Sequence, residues 1–326
     1  MKNPAGKMNN LFLVMVVLYL LVSLGLSLLS QRMMGPGVVA SLIIGELIVL
    51  VPGIVFLLFY QCDIAEWIPI KKVGRATIGF TFLLTFLIQP VLYFLNVLSQ
   101  VFEKNVALDL FSRVEDAPGI VLFLVIGLMG PVCEEVVFRG ILFSGYRKSG
   151  RIFFAILWTA LLFGLFHMNL NQFGYAMMIG LVSAFLVEAT GSLIPSLILH
   201  VLINSINVIQ ILSVNLLYDL TDVDLSELSA QTDMLTPELL LRVSALLLLP
   251  ALICAALCVV VLIAISKREG TTQHLKAILP FGKKAEDTKE PPAKGRVLSV
   301  TGILGAAICL FMVFALERIL QLISGQ

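Results

Sequence analysis

Long apolar segments alternate with short polar connections along almost the whole chain. A helix needs roughly 20 mostly apolar residues to cross the hydrocarbon core of a bilayer. We therefore predict an all-α fold, a polytopic transmembrane helical bundle of about nine spans. The predicted spans are 10–31, 38–60, 76–101, 119–146, 151–168, 174–190, 192–215, 241–266 and 297–322.

The composition supports a membrane protein and argues against other classes. Hydrophobic residues make up 59% of the chain and charged residues 13%, whereas soluble domains have about half and about a quarter. The net charge of +1 gives no reason to expect a nucleic-acid partner, so the lipid bilayer is the expected surrounding. The cysteines show neither a disulfide framework nor the spacing of a thiolate zinc cluster.

Basic residues in the connections predict which end of the bundle faces the cytoplasm, because cytoplasmic loops are enriched in lysine and arginine. If the N-terminus is cytoplasmic, the inner connections hold the basic clusters at 71–75, 147–151 and 267–296. The outer connections then hold only the scattered residues Arg32, Lys104, Arg113 and Arg242. We therefore predict a cytoplasmic N-terminus.

Charged residues interrupt the fourth predicted span at Glu134, Glu135 and Arg139. A charge at bilayer depth costs about 2.5–3.5 kcal/mol on insertion scales, so such residues usually have a function. Glu135 and Arg139 share a helix face, which favours an ion pair with either a structural or a catalytic role. Glu134 points about 100° away and lacks a local partner. We interpret it as the carboxylate that is free for catalysis or metal binding.

Two histidines lie in the apolar segments that follow. His167 comes one helical turn after Phe163, and His200 comes one turn before Asn204. A lone histidine on an apolar helix is usually a packing residue, but two histidines with an amide and a carboxylate suit hydrolysis. A carboxylate can take a proton from water, imidazoles can hold a metal, and an amide can donate to an oxyanion. The residues alone leave an intramembrane hydrolase and a proton-coupled transporter open.

The three motifs resemble those of the CAAX protease and bacteriocin-processing family (CPBP or Abi) of intramembrane proteases. They occur in the family's order and read Glu134-Glu135-Val-Val-Phe-Arg139, Phe163-Gly-Leu-Phe-His167 and His200-Val-Leu-Ile-Asn204. The resemblance covers about residues 118–210. It implies a site built from three or four helices of this core.

The resemblance also implies an activity, namely an intramembrane metalloendopeptidase that cleaves a membrane-anchored protein or peptide, with a CAAX-type C-terminus as its best-known target. Its implied catalytic residues are Glu134, Glu135, Arg139, His167, His200 and Asn204. Glu134 would activate the water with help from His167, while His200 and Asn204 would stabilise the oxyanion. Glu135 and Arg139 would orient the site. The resemblance leaves open a zinc ion held by Glu134, His167 and His200 or a metal-free glutamate–histidine mechanism.

The predicted spans, together with the core that the resemblance covers, divide the chain into five parts, and we expect the plasma membrane of a bacterium as its location. The parts are 1–117 with three N-terminal spans, the 118–215 protease core, 216–266 with an acidic outer loop and the eighth span, the basic cytoplasmic linker 267–296, and 297–326 with the ninth span. We expect the linker to detach the ninth span from the rest. The acidic loop is typical of a solvated connection rather than of a calcium site.

Two other functions stay open. One is a non-catalytic immunity or scaffold protein on the same fold, and the less favoured one is the transporter, because no internal repeat is visible. Three further residues have structural interpretations. Glu46 either lines the cavity or pairs with a neighbouring helix, Glu188 lies at the inner membrane interface, and His274 is solvated.

Overall fold

The chain is helical throughout the residues that the computed structural model describes, which are 3–32, 37–103, 117–221, 236–279 and 296–324. These residues contain no β-strand. The helices are α1 Pro4–Arg32, α2 Val38–Phe59, α3 Ile64–Trp67, α4 Arg75–Ser99, α5 Gly119–Arg147, α6 Ile152–Phe166, α7 Leu170–Thr190, α8 Ile194–Thr221, α9 Pro237–Arg268, α10 Thr272–Ile278 and α11 Val300–Ser324. The predicted all-α polytopic bundle is confirmed.

The helices differ in how well they suit a membrane span. Within the described part of the chain, six are long and apolar enough to cross a bilayer, namely α1, α2, α4, α5, α7 and α9. Shorter apolar helical stretches occupy Ile152–Phe166, Ile194–Gln210 and Val300–Phe314. Every predicted span therefore falls on an apolar helix, although three of the nine are short of a full crossing.

Helix boundaries depart from the prediction on both sides of the acidic loop and in the linker. Helix α8 continues to Thr221 and α9 already begins at Pro237, so the loop is shorter than predicted; residues 222–235 lie outside the described part. Within the predicted linker, Gly270 turns the chain with a φ of 74°, and α10 follows. Glycine favours this left-handed conformation because it lacks a Cβ atom. Linker residues 280–295 also lie outside the described residues.

Helix α5 forms the centre of the bundle. Every residue from Val137 to Tyr146 is buried, and Met8 of α1 and Trp67 of α3 are buried in the same core. The opposite situation holds for α9, where large apolar side chains such as Leu246 and Leu249 are exposed. In a membrane protein, outward-facing apolar side chains contact lipid, so this exposure fits a bilayer surrounding.

Helix α11 packs against α1 and α6, so the linker does not detach the ninth span as expected. Asn9 of α1 joins four segments at this junction. Its side chain donates to the carbonyl oxygen of Val297 at 2.8 Å and accepts from Tyr146 at 2.6 Å and from Trp158 at 3.2 Å. These bonds connect α1, α5, α6 and the segment that leads into α11.

One end of the bundle, which we call the basic end, gathers the N-terminus of α1 and the C-termini of α5, α7 and α9. The buried Glu188 of α7 forms an ion pair with Arg147 of α5 at 2.5 Å and lies 2.6 Å from His274 Nε2 of α10. The interfacial position of Glu188 stays a prediction. The side chain of His274 is 42% exposed, in line with the expected contact with solvent, and it also pairs with Glu188. Lys148 pairs with Glu66 at 2.9 Å at this same end.

Candidate active site

Helix α5 carries the two adjacent glutamates between two distorted turns. Its hydrogen bonding changes from α-helical to π-helical at Phe123–Met129 and again at Val136–Phe143. The short α-helical segment between them, Gly130–Glu135, ends on both carboxylates. π-Helical turns inside an α-helix are rare and are often found at functional sites. The helix geometry of α5 is therefore unusual on both sides of the two glutamates and at Arg139.

Glu135 is completely buried and has three partners. Its Oε1 atom lies 3.2 Å from Arg139 Nη1 and 3.0 Å from His200 Nδ1. Its Oε2 atom accepts the hydroxyl hydrogen of Ser196, one turn before His200 on α8. The predicted Glu135–Arg139 pair is present. Because the carboxylate also holds His200, the pair fixes the position of α8 against α5.

Arg139 is held by aromatic rings as well as by its ion pair. Its guanidinium carbon lies 4.1 Å from the centroid of the Phe163 ring, a distance that allows a cation–π contact. Phe163 also stands edge-on to His167 and His200, with centroid distances of 5.0 and 5.7 Å. The phenylalanine of the second motif is therefore the packing centre between the arginine and both histidines.

Glu134 faces both histidines across the helices. Its Oε1 lies 3.9 Å from His167 Nε2, and its Oε2 lies 3.5 Å from His200 Nε2. His167 Nδ1 lies 2.9 Å from the carbonyl oxygen of Phe163, which can only accept, so that nitrogen carries the hydrogen. In the same way, the carboxylate of Glu135 accepts a hydrogen bond, so the Nδ1 atom of His200 that faces it carries the hydrogen. In their neutral forms both histidines therefore direct the lone pair of Nε2 towards Glu134.

His167 occupies the end of α6 rather than its interior. It caps the helix directly after Phe166, and Met168 reverses the chain with a φ of 50°. Asn169 then caps α7, because its side chain accepts from the backbone N–H of Gln172. This tight turn between two capped helices fixes the direction of the His167 ring.

The four groups open into a cavity of about 460 Å³. Glu134, His167, His200 and Asn204 contribute to its wall, together with residues of α1, α2 and α7. The side chains of Glu134 and His167 are 16% and 20% exposed, whereas that of His200 is 3% exposed. A substrate in the cavity would therefore meet Glu134 and His167 directly.

Asn204 lies one turn beyond His200 and also borders the cavity. Its amide nitrogen donates to the carbonyl oxygen of Ile126 on α5 at 3.3 Å. An amide nitrogen has two hydrogens, so the second hydrogen can be offered to a ligand. Every predicted site residue except Glu135 and Arg139 thus borders the cavity, and these two lie behind His200 and Phe163.

The donor types around Glu134 are those that catalytic zinc sites use. Two imidazole nitrogens and a carboxylate are a common ligand set in catalytic zinc enzymes, and such histidines usually donate Nδ1–H to a carboxylate or a carbonyl. However, the described residues contain no group of three or more His, Cys, Asp or Glu side chains close enough to hold a metal ion. The ligand types fit zinc, whereas their present spacing does not.

Sequence reasoning missed two residues that shape the site. Ser196 donates to Glu135, and its spacing of four from His200 was the signal that could have identified it. Gly180 of α7 lies against the arginine, since a Cβ atom there would be 3.0 Å from Arg139 Nη2. No pattern on α7 points to this contact. Glu46, by contrast, lines the cavity, which was one of its two expected positions.

The core of the chain matches a known protein family. Residues 116–206 match the Rce1-like family, described as type II CAAX prenyl endopeptidase Rce1-like. The resemblance seen in the three motifs is confirmed. The matched residues include all three motifs, the whole of α5, α6 and α7, and the first part of α8. Together with the long apolar helices, this match identifies an integral membrane protein.

A curated relative supports the same relationship over a similar length. The "Putative membrane peptidase YdiL" of Bacillus subtilis (strain 168) is 29% identical over 89 residues. The match covers 27% of this chain and 36% of that protein, so it spans little more than a third of the relative. No solved structure matches the chain.

Proposed function

We propose that this protein is an intramembrane endopeptidase that hydrolyses a peptide bond of a membrane-associated or CAAX-type substrate. The observation that carries the proposal is the position of Glu134, whose two carboxylate oxygens face two histidine Nε2 atoms inside a cavity between the helices. The match of the core to prenyl endopeptidases supports a peptide bond as the target.

In the proposed reaction Glu134 is the general base. It takes one proton from a water molecule, whose oxygen then attacks the carbonyl carbon of the substrate. His167 Nε2 lies on the same side of the cavity and accepts a hydrogen bond from this water. When the tetrahedral intermediate collapses, the C–N bond breaks and the proton on Glu134 passes to the leaving amine. The carboxylate is thereby restored.

Asn204 is placed to stabilise the oxyanion of the tetrahedral intermediate. Asn204 can direct its second amide hydrogen into the cavity beside His200, and a preorganised donor of this kind typically contributes about 10²–10³ in rate. Glu135 and Arg139 do not reach the substrate. Their proposed task is to orient His200 and Phe163.

We include zinc in the proposal as an optional cofactor. Glu134, His167 and His200 would be its ligands. When bound, it would supply Lewis-acid polarisation of the water or of the substrate carbonyl. Bound zinc would occupy the Nε2 lone pairs of both histidines, so the residue roles stated above describe the reaction without it.

Cleavage of membrane-anchored and prenylated peptides by the purified protein tests the proposal. We expect Glu134→Gln to lower the cleavage rate about 10²–10⁴-fold, the usual contribution of a general base, while substrate binding persists. Glu66→Gln is the matched control, because Glu66 is a surface glutamate with a side chain that is 60% exposed. Equal rates for the wild type and Glu134→Gln would favour the binding scaffold. Repeating the assay with a zinc chelator tests the metal.

A further inference from the structure

A second cavity, of about 410 Å³, lies between α6 and the segment that leads into α11. Its volume falls within the range of about 300–1,000 Å³ that small-molecule sites occupy. Among the described residues, none lines both this cavity and the active-site cavity. We call it the arginine groove, because two arginines line it beside apolar side chains, namely Arg151, Phe154, Trp158 and Leu161 of α6 with Arg296 and Leu298 before α11.

Hydrogen bonds through Asn9 hold the two walls of the arginine groove together. Trp158 Nε1 on one wall donates to the Asn9 side-chain oxygen at 3.2 Å. The Asn9 side-chain nitrogen donates to the carbonyl oxygen of Val297 on the other wall at 2.8 Å. Val297 is buried, whereas Arg296 and Leu298 on either side of it are exposed. The groove is therefore built by the same junction that joins the ninth span to the core.

The two arginines of the groove are exposed and carry uncompensated charge. Within the part of the chain that the structure describes, neither Arg151 nor Arg296 has a carboxylate at ion-pair distance. Arg147 and Lys148 at the same end of the bundle each pair with a glutamate. Two unpaired guanidinium groups on one cavity favour an anion, and their planar set of donors suits a phosphate group.

The rest of the groove is an apolar strip along one face of α6. The residues at 154, 157, 158 and 161 are spaced by three and four, so they share a helix face. Phe154 is 59% exposed, and Leu298 on the facing wall is 51% exposed. Leu161 lies ten positions after Arg151, or about 15 Å along the helix. This length is half of the hydrocarbon core of a bilayer, which is about 30 Å thick.

A phosphate beside an apolar strip one leaflet long describes a phospholipid better than a free anion. Inorganic phosphate would use the arginines alone. The groove also lies at the basic end, which we predict to be cytoplasmic, and basic pockets between helices on that side of a membrane bind anionic lipid head groups.

We propose that the arginine groove binds one anionic phospholipid molecule. Its phosphate contacts Arg151 and Arg296, and an acyl chain lies along the apolar face of α6. The bound lipid would thereby bridge α6 and the segment that leads into the ninth span. This proposal does not rest on the proposed peptidase activity.

Trp158 supplies a reporter in the wall of the groove, because the chain holds only one other tryptophan, Trp67. The full-length protein is placed in phosphatidylcholine vesicles that contain increasing fractions of either brominated phosphatidylglycerol or brominated phosphatidylcholine. Bromine atoms on an acyl chain quench the fluorescence of a tryptophan that they contact. The same titration of Trp158→Phe identifies the share of the signal that comes from the groove.

We expect the anionic lipid to quench Trp158 with a relative binding constant about tenfold above that of phosphatidylcholine, because arginines attract anionic lipids. Arg151→Gln/Arg296→Gln should bring this ratio close to one. Lys72→Gln/Arg75→Gln is the matched control, since it removes two exposed charges from the basic end outside the groove, and it should leave the ratio unchanged.

Equal quenching of the wild type by the two lipids overturns the proposal. It would show that only unselective boundary lipid contacts α6, or that acidic linker residues such as Glu286 and Asp287 occupy the arginines instead. An equal loss of selectivity in both double variants also overturns it, because the effect would then come from general charge. The comparison of the two lipids on the wild type needs no substitution, so it decides the proposal even if the groove variant folds poorly.

Inorganic phosphate separates a lipid from a free anion as the ligand. Phosphate is added to the vesicles that contain the brominated anionic lipid, with sodium chloride of equal ionic strength as the control. We expect the two salts to change the quenching of Trp158 equally. Release of the quenching by phosphate but not by chloride would show that the arginines hold free phosphate, which overturns the assignment to a phospholipid.

Discussion

Two neighbouring carboxylates of α5 have opposite surroundings. Glu135 is fully buried and bound by Arg139, His200 and Ser196. Glu134 is partly exposed, and its partners within the described part of the chain are the two histidines at the longer distances of 3.9 and 3.5 Å. A carboxylate whose lone pairs are occupied by protein donors cannot serve as a base for water. The difference in partners therefore assigns the chemistry to Glu134 and the orientation of the site to Glu135.

Glu135→Gln tests the structural part of that assignment. Removing one partner of a buried ion pair typically costs about 3–5 kcal/mol, because the other charge is left uncompensated. We expect a clearly lower thermal unfolding temperature in detergent for Glu135→Gln, together with loss of cleavage. Glu134→Gln should lose cleavage without a comparable loss of stability.

A double variant sharpens the test. In Glu135→Gln/Arg139→Gln neither charge remains, so part of the lost stability should return while cleavage stays absent. If the double variant is less stable than Glu135→Gln alone, the ion pair is not the reason that Glu135 matters, and the contact of Arg139 with Phe163 is the stronger interaction.

At this scale the sequence predicted the motif residues well but not their surroundings. Spacing of four along a helix identified the Glu135–Arg139 pair and placed Asn204 beside His200. It could not show that Glu135 contacts His200, because that contact joins two helices that are far apart in the chain. Ser196 was overlooked although it shares a face with His200, since a serine in an apolar helix carries no chemical signal alone.

At the scale of helices, close packing between α6 and α7 determines where Arg139 can lie. Gly180 of α7 faces Arg139 on α5 and Ala160 on α6, and a Cβ atom there would stand 3.1 Å from the Cα atom of Ala160. Small residues at such crossings let membrane helices approach closely. The guanidinium group occupies the space that this glycine leaves.

Gly180→Ala should therefore disturb the site through packing alone. Overpacking of a well-filled interior typically costs about 1–3 kcal/mol, and we expect a lower unfolding temperature with reduced cleavage. Gly79→Ala on α4 is the matched control, because no atom lies within 4 Å of the Cβ position there. Replacement of that helical glycine should be neutral or stabilising by about 0.5–1 kcal/mol. Equal effects of the two substitutions on cleavage would contradict the packing argument.

Helix α2 contributes a second carboxylate to the cavity. A Cβ atom on Gly130, one turn before Glu134, would lie 3.1 Å from Glu46 Oε1. The buried Oε2 atom of Glu46 has no hydrogen-bond partner among the described residues. Buried polar atoms without partners are uncommon in folded proteins, and each one asks for an explanation. Because Glu46 lies in the cavity wall, we expect its free oxygen to accept a hydrogen bond from a donor group of the substrate.

We expect Glu46→Gln to raise KM about 5–10-fold with little change in kcat, which corresponds to one hydrogen bond of about 1 kcal/mol. Val55→Ala on the same helix is the control, since its side chain is 55% exposed and does not line the cavity. Steady-state kinetics on a cleaved peptide measure both constants. A fall in kcat with an unchanged KM would place Glu46 in the chemical step instead.

The helices themselves were largely predictable, and the departures have physical causes. Apolar length predicts a span because every backbone polar group in lipid must be satisfied inside the helix. The same rule says nothing about helix outside the apolar stretch, so the extension of α8 to Thr221 and the presence of α10 were missed. Packing of α11 on α1 was also unpredictable, since it joins opposite ends of the chain.

At the scale of the whole molecule, buried hydrogen bonds link the ninth span to the core. Asn9 is completely buried and bonds to Tyr146, Trp158 and the carbonyl oxygen of Val297. The chain thereby returns, after its long linker, to the helix with which it began. This junction lies at the basic end and shares no residue with the cavity wall, so it supports the fold without touching the site.

Asn9→Ala should consequently separate stability from catalysis. The substitution removes the partner of two buried polar groups and of the partly buried Trp158 Nε1, and each unsatisfied buried group costs about 1–3 kcal/mol. We expect a markedly lower unfolding temperature and weaker protection of α11 against proteolysis, with kcat per folded molecule unchanged. Asn10→Ala is the matched control, because the neighbouring side chain is exposed and its removal should alter neither quantity. A loss of kcat in folded Asn9→Ala protein would show instead that the ninth span influences the site through α1, whose later residues line the cavity.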